Sequence, residues 1–277
     1  MAKQHIYLNG RILLQEDAAI SPLDIGLLRG YAVFDLLRTV NGRPFLLAEH
    51  LQRLRASAEK LGLAVSASDE EIAAVIDELL ELNGHAEATV RLVLTGGVSP
   101  DGMAFDPATP TFFILTHELH EPPASLYESG GALLTERHKR ELPEAKTTGY
   151  LTMLRNRDRT AEAGAMDLLY HDGENVFEAA SASVYFVRDG RIHAPADCVL
   201  WGTVGSLVLE MAMDDYEVVV GDIALAEALT ADEVFLTSTT RGVVPIVRLD
   251  DAPVGDGKPG PITRDLMARW NEALARA

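Results

Sequence analysis

The sequence predicts an α+β protein of two domains. Helix-like and strand-like apolar patterns alternate through both halves, Asn-Gly and Asp-Gly turns join several strands, and a proline-containing stretch without periodicity separates the halves. The 277 residues, 47% of them hydrophobic, are enough to bury a core in each half. We therefore expect an N-terminal domain over residues 1–118, a linker over 119–130 and a C-terminal domain over 131–277.

The N-terminal half begins with two predicted hairpins. Asn9-Gly10 lies between the apolar runs IYL and RILL, and Asn41-Gly42 lies between VFDLLRTV and RPFLL. An Asn-Gly pair between apolar runs is the strongest short-range hairpin signal, because both residues tolerate the left-handed backbone of a tight turn. Each pair therefore predicts two adjacent antiparallel strands.

Two helices and two further strands complete this half. AEHLQRLRASAEKLGL has a helical apolar period, and Ser68 with Glu71 forms a capping box that opens a second helix through Leu82. The strands are ATVRLVLT and TFFILTH. The apolar positions of the first helix are Leu51, Leu54, Ala58 and Leu61.

The C-terminal half repeats this mixture. A strand near ALLTE precedes Lys146, and a helix is predicted from Leu151 to Ala161. Strands follow around the hairpin turns at residues 172–173 and 189–190, both Asp-Gly. VGSLVLEMAM is predicted as a helix, DEVFLTSTT as a strand that ends in hydroxyl groups, and ITRDLMARWNEALA as a C-terminal helix.

Composition argues against several classes of function. The formal net charge of -18 opposes a nucleic-acid surface, which needs clustered cations to meet phosphates. No run of 18 apolar residues predicts a membrane span, and the N-terminus does not resemble a signal peptide. A single cysteine, Cys198, allows no internal disulfide. We expect a cytoplasmic protein with no metal site.

Lys146 is the first candidate for chemistry. The chain is poor in lysine, and this one lies in LPEAKTTGY, after a probable strand and among small polar residues. A desolvated lysine has a lowered pKa and can form a Schiff base. The alternative is an ordinary loop lysine. The other lysines are Lys3, Lys60, Lys139 and Lys258.

Four other features complement a reactive lysine. Glu178 interrupts the apolar run VFEAASASVYF, where a carboxylate either faces solvent or holds a buried cation. The helix start at Gly202 and Thr203 and the hydroxyls of residues 237–240 could bind an anion, and so could Arg53 on the first long helix. Each feature alone is weak. Together they match pyridoxal 5'-phosphate, whose aldehyde, ring nitrogen and phosphate need a lysine, a carboxylate and an anion site.

With these features in the same order, the sequence resembles the class IV, or fold-type IV, pyridoxal-phosphate aminotransferases over nearly its whole length. EHLQRLRASAEKLGL is similar to the phosphate-arginine helix, LPEAKTTGY to the Schiff-base segment and VFEAASASVYF to the strand of the pyridine-nitrogen glutamate. VLWGTVGS and FLTSTTRGVVPI are similar to the two other phosphate-binding elements. The resemblance implies the fold of D-amino-acid aminotransferases. It also implies a catalytic Lys146 and these cofactor-binding residues: Arg53, Lys146, Tyr150, Glu178, Thr203, Val204, Ser238 and Thr239.

The chain departs from the family pattern at two positions. The family usually has asparagine five residues after the glutamate, where Ser183 stands here. It usually has a basic residue three positions after the glycine of the phosphate-binding turn, where this chain has Gly205. Neither departure removes a catalytic group, but both fall beside the predicted cofactor site.

The substrate side resembles one subgroup of D-amino-acid transaminases. An arginine used by the well-known D-amino-acid transaminases is absent, since Gly96 is aligned with it. LRGY and RLVLTGG instead resemble a subgroup in which two arginines, here Arg29 and Arg91, grip the substrate carboxylate. In that subgroup one arginine comes from the neighbouring subunit of a homodimer. Tyr31 is expected to line the pocket, although packing or surface roles remain alternatives for these side chains.

The implied reaction is a ping-pong transfer of an amino group between a D-amino acid and a 2-oxo acid. Lys146 would serve as base and acid, and Glu178 would keep the cofactor ring nitrogen protonated. A branched-chain L-amino-acid aminotransferase and an aminodeoxychorismate lyase use the same cofactor residues and stay open as alternatives. A non-catalytic cofactor-binding protein is a further alternative, which the intact Lys146 and Glu178 oppose.

Overall fold

The computed structural model of the protein describes residues 4–277, so the first three residues of the predicted N-terminal domain lie outside the described residues. The chain divides into two compact units. Unit 1 comprises the chain up to His120 together with Ala145–Gly149, and unit 2 comprises Glu121–Glu144 and Tyr150–Arg276. Both units combine helices with a sheet, which confirms the α+β prediction.

The division differs from the predicted boundaries at two places. Residues Ala124–Ser129 of the predicted linker form a short helix. The segment Ala145–Gly149 lies in unit 1, although the sequence analysis put Lys146 in the C-terminal domain. The physical reason is backbone pairing, because Phe34 N donates to Lys146 O at 2.9 Å and Val33 bridges Thr147.

A six-stranded sheet forms the body of unit 1 as far as the structure describes it, in the order β2-β1-β6-β5-β3-β4. Both predicted hairpins are confirmed, since Leu8 pairs with Arg11 and Val40 with Arg43 across the Asn-Gly turns. The strands are β1 (His5–Leu8), β2 (Arg11–Leu14), β3 (Ala32–Val40), β4 (Arg43–Pro44), β5 (Ala88–Thr95) and β6 (Thr111–Glu118).

The helices of unit 1 cover this sheet with apolar faces. Leu51 and Leu54 on one helix and Ile76 on another are fully buried, as the helical period predicted. The capping box is confirmed, because Ser68 and Glu71 each bond the other's backbone N–H. The helices are α1 (Ile25–Arg29), α2 (Leu47–Lys60) and α3 (Asp69–Asn83), and a 3-10 turn covers Gln15–Asp17.

A larger sheet forms the body of unit 2. Its strands follow the order β12-β11-β10-β14-β15-β7-β8-β9-β13, with β16 paired to β15. Phe186, Val244 and Leu133 lie in its buried core. The strands are β7 (Gly131–Arg137), β8 (Asp167–His171), β9 (Asn175–Ala179), β10 (Ser183–Arg188), β11 (Arg191–Pro195), β12 (Val218–Gly221), β13 (Ile223–Ala224), β14 (Glu233–Ser238), β15 (Gly242–Leu249) and β16 (Ala252–Pro253).

The helices of unit 2 include one break that the sequence did not predict. The pattern from Leu151 to Ala161 predicted one helix, but Asn156 ends one short helix and begins the next, with φ -95° and ψ 3°. Within residues 4–277 no helix is long and apolar enough to cross a membrane. The helices are α4 (Ala124–Ser129), α5 (Leu151–Arg155), α6 (Arg157–Glu162), α7 (Thr203–Ala212), α8 (Leu225–Ala228) and α9 (Pro261–Arg276).

Candidate active site

Lys146 is fixed in unit 1 through its backbone. Its N–H donates to Ser57 Oγ on α2 at 3.0 Å, and its carbonyl accepts from Phe34 N on β3. The side chain is half-buried, and its Nζ lies 4.8 Å from the centroid of the Phe34 ring. A buried aromatic face stabilises a cation by about 0.5–2 kcal/mol. The Lys146 amine therefore lies at a favourable position against the Phe34 ring.

Arg91 lies at the same aromatic ring. It is half-buried in the middle of β5, and its Cζ lies 4.9 Å from the Phe34 centroid. The structure thus brings two predicted site residues, Lys146 and Arg91, to one buried side chain. A guanidinium is suited to a carboxylate, which it can bind through two parallel hydrogen bonds.

Arg53 on α2 is held by a carboxylate that the sequence analysis did not single out. Asp35 on β3 is fully buried and accepts from Arg53 Nε and Nη2, each at 2.8 Å. His50 Nδ1 lies 2.7 Å from Asp35 Oδ1. Burial raises the pKa of Asp35, but the charge of Arg53 and the hydrogen bonds of Arg53 and His50 outweigh this and hold that pKa well below its ordinary value. Burial lowers the pKa of His50, so His50 is neutral at pH 7.

This arrangement presents Arg53 as an anion ligand. Asp35 accepts two hydrogen bonds from the guanidinium, one from Nε and one from Nη2. The third nitrogen, Nη1, donates to no group within residues 4–277. The Arg53 side chain as a whole is 13% exposed. Asp35 could have been found from sequence, since a carboxylate within the apolar strand VFDLLRTV needs a buried partner.

Arg29 and Tyr31 lie at the end of α1 and just before β3 in unit 1. Arg29 ends α1, is exposed, and donates from Nη1 to its neighbour Leu28 O at 2.9 Å. Tyr31 donates its hydroxyl to Leu61 O at 2.6 Å and stacks obliquely on Phe105. Among the residues that the structure describes, neither side chain has a hydrogen bond to the cluster at Phe34.

Glu178 in unit 2 is buried and paired. On β9, its Oε1 accepts from Arg140 Nε at 2.5 Å and its Oε2 accepts from Leu200 N at 3.0 Å. Arg140 also donates to Pro143 O. Because Glu178 is buried, the solvent-facing alternative is excluded. Its two charge-assisted hydrogen bonds stabilise the carboxylate in this buried position. Arg140 carries no motif that marks it in the sequence, and only the general rule that buried charges need partners indicates that such a cation must exist.

The N-terminus of α7 lies in unit 2 without a side-chain cap. Gly202 is the N-cap residue, and Thr203 and Val204 begin the helix, with their backbone N–H groups in the first turn. Beneath this turn lie the hydroxyls of Ser183 and Tyr185, from β10. An uncapped helix start carries partial positive charge and donors, which together favour a phosphate.

Thr237, the opposite neighbour of Ser183 on β14, adds an unpaired hydroxyl to this place. Its Oγ1 is buried and lies near the Tyr185 hydroxyl, and it has no hydrogen-bond partner within residues 4–277. Burial raises the pKa of Tyr185 to about 12. An unpaired buried hydroxyl is costly and marks a place where a ligand or water completes the bonding.

The remaining predicted residues of unit 2 lie at strand and helix ends. Ser238 ends β14, and Thr239 follows in the half-buried turn that leads to β15. Tyr150 is half-buried at the residue before α5, where its carbonyl accepts from Leu154 N at 3.0 Å. These three residues therefore lie where a strand or a helix of unit 2 ends or begins.

Comparison with known proteins identifies the family to which the chain belongs. The family model for class IV aminotransferases matches residues 32–249 of the chain. The chain belongs to the class IV aminotransferases. The D-alanine aminotransferase of Listeria innocua is 31% identical, with 98% of this chain and 96% of the relative covered. A putative branched-chain-amino-acid aminotransferase of Methanocaldococcus jannaschii is 30% identical, with 96% of this chain and 95% of the relative covered.

Solved structures confirm the predicted fold type. A branched-chain amino acid aminotransferase of T.th. with pyridoxamine 5'-phosphate has a TM-score of 0.87 and 28% identity, over 99% of this chain and 95% of that one. The Escherichia coli branched-chain amino acid aminotransferase has a TM-score of 0.89 and shows the same fold at 24% identity, over 98% and 95%. Aminotransferases of this class are pyridoxal-phosphate enzymes, which confirms the predicted cofactor and enzyme class.

The side chains of this class IV aminotransferase fit the cofactor. In unit 2 the orphaned Thr237 hydroxyl and the start of α7, which has no side-chain cap, suit a phosphate. In unit 1, taken by itself, Arg53 Nη1 has no hydrogen bond within residues 4–277 and suits an anion. The paired carboxylate of Glu178 suits a protonated pyridine nitrogen. Each unit thus carries groups of the kinds that bind pyridoxal phosphate.

The departure at Gly205 has a structural cause. A Cβ at residue 205 would lie 2.2 Å from Tyr185 Oη and 3.0 Å from Thr237 Oγ1, so no side chain fits there. We expect Gly205→Ala to lower the free energy of unfolding by roughly 1–3 kcal/mol, as overpacking does in a buried site. Urea denaturation measures the change.

Two control variants isolate this contact. A Cβ at Gly221 meets nothing within 4 Å, so Gly221→Ala is expected to leave the free energy of unfolding nearly unchanged. In a Tyr185→Phe background the nearest atom is gone, and Gly205→Ala should then cost less than in the natural chain. Equal losses for the two glycine variants would contradict the explanation.

Proposed function

We propose that the chain is a pyridoxal-phosphate transaminase that moves an amino group between a D-amino acid and a 2-oxo acid. The observation that carries the proposal is Arg91, a half-buried guanidinium at the same aromatic ring as Lys146. The pairing suits a substrate whose carboxylate and amine are both engaged, one by each side chain. The relation to the Listeria innocua D-alanine aminotransferase supports the same assignment.

Gly96 supports the choice of Arg91 as the carboxylate ligand. A Cβ at residue 96 would lie 2.6 Å from Ile25 Cγ2, so this position holds no side chain of any length. The arginine that other D-amino-acid transaminases carry there therefore has no room here, and another cation must replace it. We propose that Arg91 does so, together with Arg29 from the second subunit of a homodimer, with Tyr31 lining the pocket.

The residues of unit 1 have distinct proposed roles. Lys146 would anchor the cofactor covalently. After release, its Nζ removes a proton from the Cα of the donor amino acid, and in the second half-reaction it delivers a proton to the Cα of the amino acid that is formed. Its hold through Ser57 and Phe34 fixes the backbone while the side chain moves. Arg53, oriented by Asp35, binds the phosphate through Nη1.

The residues of unit 2 are proposed to hold the ring and the phosphate. Glu178, kept ionised by Arg140 and Leu200 N, retains the proton on the pyridine nitrogen. Thr203, Val204, Ser238 and Thr239 donate to the phosphate, and Tyr150 donates to the ring's phenolic oxygen. Bound pyridoxal 5'-phosphate supplies an electron sink and carries the amino group between two substrates.

A branched-chain L-amino-acid aminotransferase is the second candidate. The Methanocaldococcus jannaschii relative and the T.th. structure favour it, since both carry that name and cover nearly the whole chain. It uses the same cofactor chemistry, so only the donor amino acid separates the two candidates.

A half-reaction experiment decides between them. The purified protein, loaded with pyridoxal 5'-phosphate, is mixed separately with D-alanine, D-glutamate, L-leucine and L-glutamate while its visible absorption band is followed. We expect loss of the band with the D-amino acids alone. Loss with L-leucine or L-glutamate alone would assign the branched-chain activity instead, and release of pyruvate from aminodeoxychorismate without an amino acceptor would assign a lyase.

Substitution of the two arginines tests the carboxylate site. We expect Arg91→Met and Arg29→Met each to lower kcat/KM for the amino acid by roughly 100-fold, because a charged ligand loses a charge-assisted partner. The visible band of the bound cofactor should remain. Arg11→Met, an exposed arginine on β2, is the matched control and should keep the natural kcat/KM. Unchanged kcat/KM in Arg91→Met would refute the site.

A further inference from the structure

Arg241 makes contacts beside the proposed phosphate ligands that the roles above do not explain. It is the last residue of the turn between β14 and β15, and its side chain is 17% exposed. Its guanidinium makes two hydrogen bonds to serine hydroxyls: Nε donates to Ser238 Oγ at 3.0 Å, and Nη2 donates to Ser181 Oγ at 2.9 Å. One arginine thus joins the end of β14 to the loop between β9 and β10.

A buried carboxylate holds this guanidinium in place. Asp167, at the start of β8, is fully buried and lies 3.6 Å from Arg241 Nη2 through its Oδ2. The same Oδ2 accepts from Ser181 Oγ at 2.5 Å, and Oδ1 accepts from Leu168 N at 2.9 Å. The carbonyl of Arg241 accepts from the Tyr127 hydroxyl at 2.9 Å. Both the backbone and the side chain of Arg241 are therefore fixed.

The contact with Ser238 determines the direction of its hydroxyl hydrogen. A serine hydroxyl has one donor and two acceptor sites, whereas arginine can only donate. Arg241 therefore occupies an acceptor site of Ser238 and cannot receive its hydrogen. Within residues 4–277 the Ser238 hydroxyl donates to no other group, so its hydrogen is available to an acceptor outside the chain.

We propose that Arg241 is a positioning residue for phosphate binding, and that it acts by orienting the Ser238 hydroxyl as a donor. Asp167 offsets the charge of Arg241, so orientation rather than added positive charge is its contribution. The inference rests on the proposed function, in which Ser238 binds the cofactor phosphate. Arg241 thus orients a phosphate donor at the end of β14 in a chain in which Gly205 leaves no room for a basic side chain.

The test compares two cofactor forms with the apoprotein. Binding of pyridoxal 5'-phosphate and of pyridoxal, which lacks the phosphate, is titrated for the natural chain, Arg241→Met, Ser238→Ala and the double variant. We expect each single variant to weaken pyridoxal 5'-phosphate binding about tenfold, the effect of one hydrogen bond to a charged group. Pyridoxal binding should not change. The double variant should bind no more weakly than Ser238→Ala, because Arg241 acts through Ser238.

Several outcomes would overturn the inference. They are natural affinity in Arg241→Met, equal weakening for both cofactor forms, or additive losses in the double variant. If Arg241→Met does not fold, Asp167→Asn/Arg241→Met removes both charges together and is judged by the same criteria. Arg264→Met, an exposed arginine on α9, is the control and should bind as the natural chain does. Failure of the natural chain to bind pyridoxal 5'-phosphate would instead refute the proposed function.

Discussion

Lys146→Ala is expected to lower the rate of transamination by about 10⁴-fold, the upper end of what a positioned acid–base group contributes. The variant loses both the covalent attachment of the cofactor and the amine that moves the substrate proton. The backbone contacts of residue 146 to Ser57 and Phe34 do not involve the side chain, so the fold should survive. The measurement is the rate of amino transfer from D-alanine to 2-oxoglutarate, with thermal unfolding as the check on folding.

The control and a spectroscopic measurement make this result specific. Lys60→Ala, at an exposed position on α2, should retain the natural rate. The visible band that reports a lysine-bound cofactor should be absent in Lys146→Ala and present in Lys60→Ala. Full turnover in Lys146→Ala would end the catalytic account of this residue and leave the cofactor without an assigned lysine.

Local signals in the sequence predicted most of the secondary structure correctly. The Asn-Gly hairpins and the Ser68–Glu71 capping box depend on neighbouring residues only, and the structure confirms them. The helix predicted from Leu151 to Ala161 was continuous in the sequence but is broken in the structure at Asn156, whose side-chain amide bonds the carbonyl of Thr152. Apolar periodicity does not record such a break, because both short helices keep the same pattern.

Long-range contacts were the part of the site that sequence could not predict. Lys146 was identified from its surroundings in the chain, but its pairing with β3 joins residues more than a hundred positions apart. Arg140 and Glu178 are 38 positions apart, and Arg241 and Asp167 are also distant in the chain. In these two pairs a buried carboxylate requires a cation, and the sequence shows the requirement without showing which arginine meets it. The roles of the individual site residues stay predictions that the experiments above test.

Asp35→Asn is expected to lower the free energy of unfolding by roughly 3–5 kcal/mol, because breaking a buried ion pair from one side leaves the other charge uncompensated. Arg53 would lose its two-point contact, and His50 would lose its carboxylate partner. Arg53 would also lose the orientation that presents Nη1, so the affinity for pyridoxal 5'-phosphate should fall together with stability. Urea denaturation of the apoprotein and cofactor titration measure the two effects separately.

The pH dependence of unfolding gives this prediction a second test. The pKa of Asp35 is held below its ordinary 3.8, so the unfolded chain binds a proton there before the native state does. The stability from this carboxylate is present above pH 3.8 and is lost as the pH falls below it. Burial lowers the pKa of His50 from 6.5. The unfolded chain therefore takes up a proton at His50 more readily than the native state does, and the free energy of unfolding falls as the pH drops below 6.5. Asp35→Asn should therefore lose the steeper decline below pH 3.8 and keep the one that begins at pH 6.5. If urea denaturation across this range gives Asp35→Asn and the natural chain the same profile below pH 3.8, Asp35 is not the charge that anchors Arg53.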